Sequence, residues 1–254
     1  MNAIAAAADF LARARTGPAL AGLPGTVRPS SLEEAEAIQH ATLVAMGEHC
    51  GGWKLGRHGG MVFSAPIPAS HLFADPGSDS VALPADRFIE LELAIRFHTA
   101  IAAADLSSMA PGDLTGAAEL ATLFEFVRSR FQPSAETGPL DRIADCVANE
   151  GAMVRTTLTP WTLDMLDSPP AVTLIQDGTV IARREAGPHV AAPVLPLIEA
   201  WIARRRREGG GIAAGEVVTF GSLSGMPPIP TEGASYIGQI DGLEMIRCTV
   251  APVI

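Results

Sequence analysis

Phe88-Ile89-Glu90-Leu91-Glu92-Leu93-Ala94-Ile95-Arg96-Phe97 is the stretch on which the fold turns. Its residues suit a pleated, half-buried surface, and successive side chains of a strand point to opposite faces. As a strand, it puts Ile89, Leu91, Leu93 and Ile95 on one face and Glu90 and Glu92 on the other. Like charges side by side repel, and burying either without a partner is costly. Two readings follow. On a solvated face the glutamates need no explanation. On a buried one, a hard divalent cation such as Mg²⁺ or Mn²⁺ resolves the conflict by accepting carboxylate oxygens and cancelling their charge.

Outward from this strand, further β-rich runs stand at Gly52–Leu55, Leu123–Arg130, Val172–Ile175, Thr179–Arg183, Glu216–Phe220 and Glu244–Val250, separated by Gly, Pro and Asp clusters. Gln176-Asp177-Gly178-Thr179 reads as a hairpin turn, because Asp-Gly tolerates the positive φ a tight turn needs. Helices are expected at Ala117–Ala121 and Val194–Arg207. Residues 2–15 form an alanine-rich amphipathic helix, and Ser31 with Glu34 opens a second by a capping box, running to about Glu48. The expected organisation is an amino-terminal helical cap over 1–50 and a β-roll or barrel with outer helices over 51–254, an α+β fold.

Composition narrows the function. The 254 residues are 48% apolar and only 18% charged, as in globular proteins. A net charge of −10 disfavours nucleic acid as a partner. The basic run Arg204–Arg207 reads as structural, placed in the last turns of a helix where cations suit the dipole. Cys50, Cys146 and Cys248 have no metal-type spacing. The alanine run at the amino terminus is broken by Asp9, Arg13 and Arg15, unlike a secretory signal, and no stretch is long and apolar enough to span a bilayer. A cytoplasmic protein without membrane partners is expected.

Three further features bear on chemistry. Glu125 lies in Leu123-Phe124-Glu125-Phe126-Val127, either on the polar side of a strand or as a third carboxylate for the cation. Lys54 is the only lysine in the chain, hemmed by glycines and Trp53. Arginine cannot give up a proton in proteins and lysine can, so either the position needs an amine or one lysine survives in an arginine-rich background. Gly221-Ser222-Leu223-Ser224-Gly225 follows a strand; its glycines let amides and a hydroxyl approach an anion, though a plain turn serves equally. It has neither a Walker lysine nor the order of a nucleophile elbow.

In their order and spacing these segments resemble the hydratase/decarboxylase branch of the fumarylacetoacetate hydrolase superfamily. Gly52-Trp53-Lys54-Leu55-Gly56 resembles its G-[WY]-K-[ILV]-G signature, Glu90-Leu91-Glu92 its E-x-E pair, and Glu125-Phe126-Val127-Arg128-Ser129-Arg130 its E-[IV]-V-D-S-R segment. Ile143–Asn149 stands where the family has V-A-D-N-x-S-S, Gly221–Gly225 parallels its T-G-[SA]-x-[TS]-G loop, and Ile240-Asp241-Gly242-Leu243 its closing strand. The resemblance spans about residues 50 to 250. It implies a mixed β-roll with a small amino-terminal helical region and a divalent metal, Mg²⁺ or Mn²⁺, on Glu90, Glu92 and Glu125. It implies Lys54 as an acid–base group whose pKa the cation lowers, and Ser222, Leu55 and Asn149 as substrate contacts. The implied activity is a 2-keto-4-pentenoate hydratase-like lyase, a hydratase or a decarboxylase of a small 2-oxo or 2-hydroxydienoic acid in aromatic catabolism. A homo-oligomer is the implied assembly.

The sequence departs from that pattern in three places. The P-D-[YF]-G segment that follows the family's lysine is shortened to Gly59–Pro68 without an aspartate, leaving His58 or His71 as stand-ins. The aspartate of E-x-V-D-S-R is Arg128, and Ala148 and Asn149 replace the serines of D-N-x-S-S. Two alternatives therefore stand beside the lyase: an acylpyruvate-type C–C hydrolase of the same superfamily, and a non-catalytic member that binds a small acid. Nothing near Trp53 resembles the His-x-x-Glu dyad of the hydrolases.

Overall fold

A computed structural model describes residues 2–73, 80–83, 86–106, 108–157 and 160–252. Its helices are α1 (Ala3–Ala14), α2 (Leu32–Ala45), α3 (Ala103–Leu106), α4 (Leu114–Ala117), α5 (Pro139–Ala144), α6 (Asp164–Asp167) and α7 (Leu195–Arg207). Its strands are β1 (Cys50–His58), β2 (Met61–Pro68), β3 (Leu72–Phe73), β4 (Ser80–Leu83), β5 (Phe88–Phe97), β6 (Ala118–Val127), β7 (Asn149–Thr157), β8 (Val172–Gln176), β9 (Thr179–Arg184), β10 (Val217–Ser222), β11 (Ala234–Ile240) and β12 (Ile246–Pro252). They form a mixed seven-stranded sheet in the order β2-β1-β10-β5-β6-β7-β3 and a five-stranded sheet in the order β4-β12-β11-β8-β9. The fold is α+β with a helical amino-terminal region, as expected.

β5 lies at the centre of the larger sheet, and its two faces have opposite fates. Ile89, Leu91, Leu93, Ile95 and Phe97 all enter the main core between the sheets. There Phe124 of β6 meets Tyr236 of β11 edge-on, with ring centroids 6.5 Å apart. Close approach requires a glycine at 238, where a Cβ would come within 2.6 Å of Leu91 Cδ1 and 2.9 Å of Phe124 Cε1. On the outer side, α1 and α2 share a second core with Phe63, Ala65, Phe131, Ile143 and Cys146, so the cap is closed by residues of the β-rich region.

Several local readings held. Asn2 caps α1, and Ser31 Oγ accepts from Glu34 N at 3.2 Å at the start of α2, although Glu34 closes back onto Ser30 N at 2.8 Å rather than onto Ser31. α2 stops at Ala45 instead of Glu48. Asp177 (φ 47°) and Gly178 (φ 81°) make the β8–β9 hairpin turn.

Others did not. The helix expected at Ala117–Ala121 is the first half of β6 from Ala118 onward, because all ten residues of β5 pair with β6 and that ladder overrides helix propensity. The same strand ends at Val127, short of Arg130. The segment likened to a closing strand, Ile240–Leu243, is a turn at Asp241-Gly242 between β11 and β12. β2, β3, β4, β7 and β11 were not anticipated. β2 carries Pro66 and Pro68, which a strand tolerates at a sheet edge, and β2 is an edge strand.

Candidate metal centre and its cavity

Strand register assembles the site. β5 and β6 pair antiparallel with Glu90 opposite Glu125, β10 sets Ser222 opposite Glu92, and β1 runs parallel to β10 with Lys54 beside Thr219. Four adjacent strands thus bring residues from distant parts of the chain to one face of the sheet. One oxygen from each of Glu90, Glu92 and Glu125 lies within 4.8 Å of the others. Glu92 and Glu125 are fully buried, whereas Glu90 reaches the wall of a cavity. Ala94, the next residue along this face, joins a small apolar cluster with Leu123, Ala152 and Val217, which seals the carboxylates from beneath.

Each carboxylate has its own partners. Lys54 Nζ lies 2.6 Å from Glu125 Oε2 and 3.7 Å from Glu90 Oε2. Asn149 Nδ2 donates to Glu125 Oε1 at 2.7 Å. Thr219 Oγ1 donates to Glu92 Oε2, which also accepts from Gly221 N at 3.1 Å. Glu92 Oε1 is buried with no hydrogen-bond partner, and so is Asn149 Oδ1.

The electrostatics follow. Burial, opposed by Lys54, raises Glu90 to about 7. Burial and then the Glu125 charge push Glu92 well above the ordinary carboxylate range. Burial would raise Glu125 too, but the Lys54 ammonium and the hydrogen bonds from Lys54 and Asn149 hold it below that range. Burial alone would lower Lys54; Glu125, Glu90 and Glu92 outweigh it, so its pKa is raised rather than lowered. One lysine does not neutralise three carboxylates. A buried acceptor without a donor and an excess of negative charge suit a hard divalent cation, and the all-oxygen donor set is of the kind Mg²⁺ and Mn²⁺ prefer.

The cavity beside this cluster has a volume of about 420 Å³. Lys54 and Glu90 line it together with His58 and the apolar side chains of Phe88, Val127, Phe131, Val147 and Met226. Of the two histidines proposed as stand-ins, His58 faces this cavity, while His71 Nδ1 bonds the Glu150 carbonyl at 2.7 Å and borders a different one. Of the expected substrate contacts, Asn149 holds Glu125. Leu55 packs in the main core, on the face opposite Lys54, and does not reach the cavity. Ser222 Oγ donates to Gly225 O at 2.7 Å within its own loop, whose next residue, Met226, forms part of the cavity wall.

Sequence reading missed the frame behind the site. Cys146, Val147 and Ala148 all have positive φ (53°, 47° and 65°), a left-handed turn that costs L-residues roughly 1–2 kcal/mol each. The turn delivers Asn149 to Glu125 and is held by Arg130, whose guanidinium is buried against Asp145 and lies 3.1 Å from Glu150. Arg130 Nη1 also donates to the Asn149 carbonyl at 2.9 Å. The charge reversal at Arg128 has an equally local cause. Its guanidinium turns away from the carboxylates and donates to the carbonyls of Ala14, Arg15 and Gly17, closing the carboxyl end of α1 where a cation suits the dipole.

No family model matches the sequence, and no curated protein matches it. Solved structures do. 4-Oxalocrotonate decarboxylase from Pseudomonas putida G7, complexed with magnesium and adipate, is similar over 97% of both chains at 16% identity, with a TM-score of 0.69. The same enzyme complexed with calcium and acetate gives a TM-score of 0.68, again at 16% identity, over 97% of this chain and 96% of that one. 5-Carboxymethyl-2-hydroxymuconate delta-isomerase from Mycobacterium smegmatis covers 81% of this chain and 79% of its own at 13% identity, with a TM-score of 0.51. The chain shares the fold of these enzymes. No helix among the described residues is long and apolar enough to cross a membrane.

Proposed function

We propose that this protein is a divalent-metal-dependent enzyme of the fumarylacetoacetate hydrolase superfamily, a lyase acting on a small 2-oxo or 2-hydroxydienoic acid as a hydratase or decarboxylase. One observation carries the reading: Glu90, Glu92 and Glu125 converge beside a lone lysine, and Lys54 and Glu90 line a cavity whose wall includes Phe88, Val127, Phe131 and Met226. The fold shared with a decarboxylase complexed with magnesium supports it.

Glu90, Glu92 and Glu125 would hold the ion. When bound, it would supply a Lewis acid that steadies the negative charge gathering on the C2 oxygen of the acid. The chain's own groups do the rest. Lys54 starts as an ammonium, kept so by Glu125 and Glu90, and carries the proton that a dienol or enolate must gain on carbon. Asn149 and Lys54 together fix both oxygens of Glu125, and Thr219 with the Gly221 amide fixes Glu92, so little reorganisation is needed as charge develops. Phe88, Phe131, Val127 and Met226 keep bulk water from the carbon chain.

The test is to mix the protein with Mg²⁺ or Mn²⁺ and 2-hydroxypenta-2,4-dienoate and follow the ultraviolet absorbance of the dienol. Decay in wild type, lost in Lys54→Ala and in chelator, is the expected result. Turnover of an acylpyruvate that tolerates Lys54→Ala would point to a C–C hydrolase instead. Inertness towards every such acid would leave only a binding role.

A further inference from the structure

A second cavity, of about 430 Å³, lies where the carboxyl ends of α1 and α2 meet the start of β7. It shares no lining residue with the cavity beside the carboxylate cluster. Arg15, the residue that closes α1, lines it. Arg15 is only 5% exposed, yet its Nη1 is buried without a hydrogen-bond partner. No carboxylate among the described residues lies within ion-pair distance of its guanidinium. Burial and then the Arg130 charge press its pKa downward, as happens to a cation short of counter-charge. A lysine there could shed its proton. An arginine cannot, so relief has to come from an anion.

The carboxylates on the cavity wall are engaged elsewhere. Asp9 pairs with Arg13 at 3.0 Å, Glu48 accepts from Ser70 Oγ at 2.5 Å, and Glu150 lies 3.1 Å from both Arg87 and Arg130. His71, also on the wall, adds an acceptor of a different kind. Its Nδ1 lies 2.7 Å from the Glu150 carbonyl oxygen, which can only accept, so Nδ1 carries the hydrogen and Nε2 of the neutral ring keeps its lone pair. Arg15 and His71 meet at Glu150. His71 holds its carbonyl, while its carboxyl, which burial would raise, is kept below the ordinary range by Arg130, Arg87 and then Arg15.

The cavity thus offers a guanidinium that needs acceptors beside an imidazole nitrogen that needs a donor. Sulfate brings acceptors alone and would meet the wall carboxylates with nothing to give them. Hydrogen phosphate brings both, because it keeps an O–H at neutral pH. We propose that this cavity binds a hydrogen phosphate ion, with Arg15 donating to its oxygens and His71 Nε2 accepting from its P–O–H. The ion offsets the Arg15 charge beside Arg130 and Glu150, and its binding is independent of the metal and of the 2-oxo acid.

The experiment is calorimetric titration with inorganic phosphate, sulfate and glycerol 3-phosphate at about pH 8, where a phosphomonoester has lost its last proton. Chelator is present, so that no cation at the carboxylate cluster can hold the ion. Wild type is expected to bind phosphate about tenfold tighter than sulfate, the difference that one hydrogen bond makes, and glycerol 3-phosphate no better than sulfate. At a hundredfold excess over its Kd, phosphate should raise the thermal midpoint by roughly 5–10 °C. Arg15→Met should lose both the binding and the shift, and without phosphate it should be no less stable than wild type, because an unpaired buried charge is gone. His71→Asn retains an N–H for the Glu150 carbonyl but not Nε2, and should bind phosphate only as weakly as sulfate. Wild type that binds no phosphate, or binds all three anions alike, would overturn the proposal, as would phosphate binding that survives Arg15→Met.

Discussion

Asn149 Nδ2 sits 2.7 Å from Glu125 Oε1, so a residue at the start of β7 fixes the carboxylate of the cluster that lies nearer to Lys54. Both groups are fully buried. Asn149→Ala leaves a buried carboxylate oxygen without its donor, and such losses cost about 1–3 kcal/mol. Urea unfolding of the metal-free variant should show a drop of that size with an unchanged denaturant slope. No loss would mean that Glu125 does not depend on this contact.

Glu90 and Glu92 both titrate above their unfolded value of 4.5. A carboxyl whose folded pKa is raised binds a proton that the unfolded chain releases, so its contribution to stability is present at low pH and lost as pH rises through the folded value. In chelator, the thermal midpoint should therefore fall as pH climbs from about 6 to 8, the window around the Glu90 value of about 7. Adding Mn²⁺ at pH 8 should restore it by mass action, and Glu92→Gln should flatten the pH dependence. A midpoint in chelator that rises over that window, or one indifferent to Mn²⁺, would contradict the carboxylate cluster as a cation site.

Lys54 competes with a divalent cation for the same negative charge. Lys54→Met should therefore bind Mn²⁺ more tightly than wild type while losing turnover, a divergence that a merely structural lysine would not produce. Titration of the metal followed by paramagnetic resonance measures the first quantity. Lys54→Arg should not rescue turnover, because a guanidinium cannot give up its proton.

Arg130 is buried between Asp145 and Glu150 and supports the left-handed turn that presents Asn149. Removing one partner of a buried ion pair costs about 3–5 kcal/mol because the other charge is left behind. Arg130→Met should lose that much stability in urea. The same variant should also weaken Mn²⁺ binding, since the Asn149–Glu125 contact depends on the turn.

His189 is buried, and burial followed by the nearby Arg184 charge lowers its pKa to about 4. A histidine with a depressed folded pKa contributes stability that is present above the unfolded value of 6.5 and lost as pH falls towards about 4. At about 1.4 kcal/mol per pH unit, that gap is worth roughly 3 kcal/mol. Acid unfolding should begin in this window, below the one governed by Glu90, and His189→Gln should shift its midpoint to lower pH.

The sequence by itself determined what depends on neighbours along the chain. Alternation placed Glu90 and Glu92 on one face of a strand, Ser31 marked the start of α2, and Asp177-Gly178 made a turn. Lys54 stood out because nothing else in the chain is a lysine. These are local signals: a period of two, a cap, a backbone that tolerates positive φ. Only the tertiary structure decided that Glu125 stands opposite Glu90, that Thr219 serves Glu92 and that Arg128 belongs to α1. It also made a strand of Ala118–Ala121 against their helix propensity. Each of those outcomes comes from strand register or from contacts between residues tens to more than a hundred positions apart. Such pairings are chosen by burial and hydrogen bonding in the assembled sheet, which a local pattern does not encode.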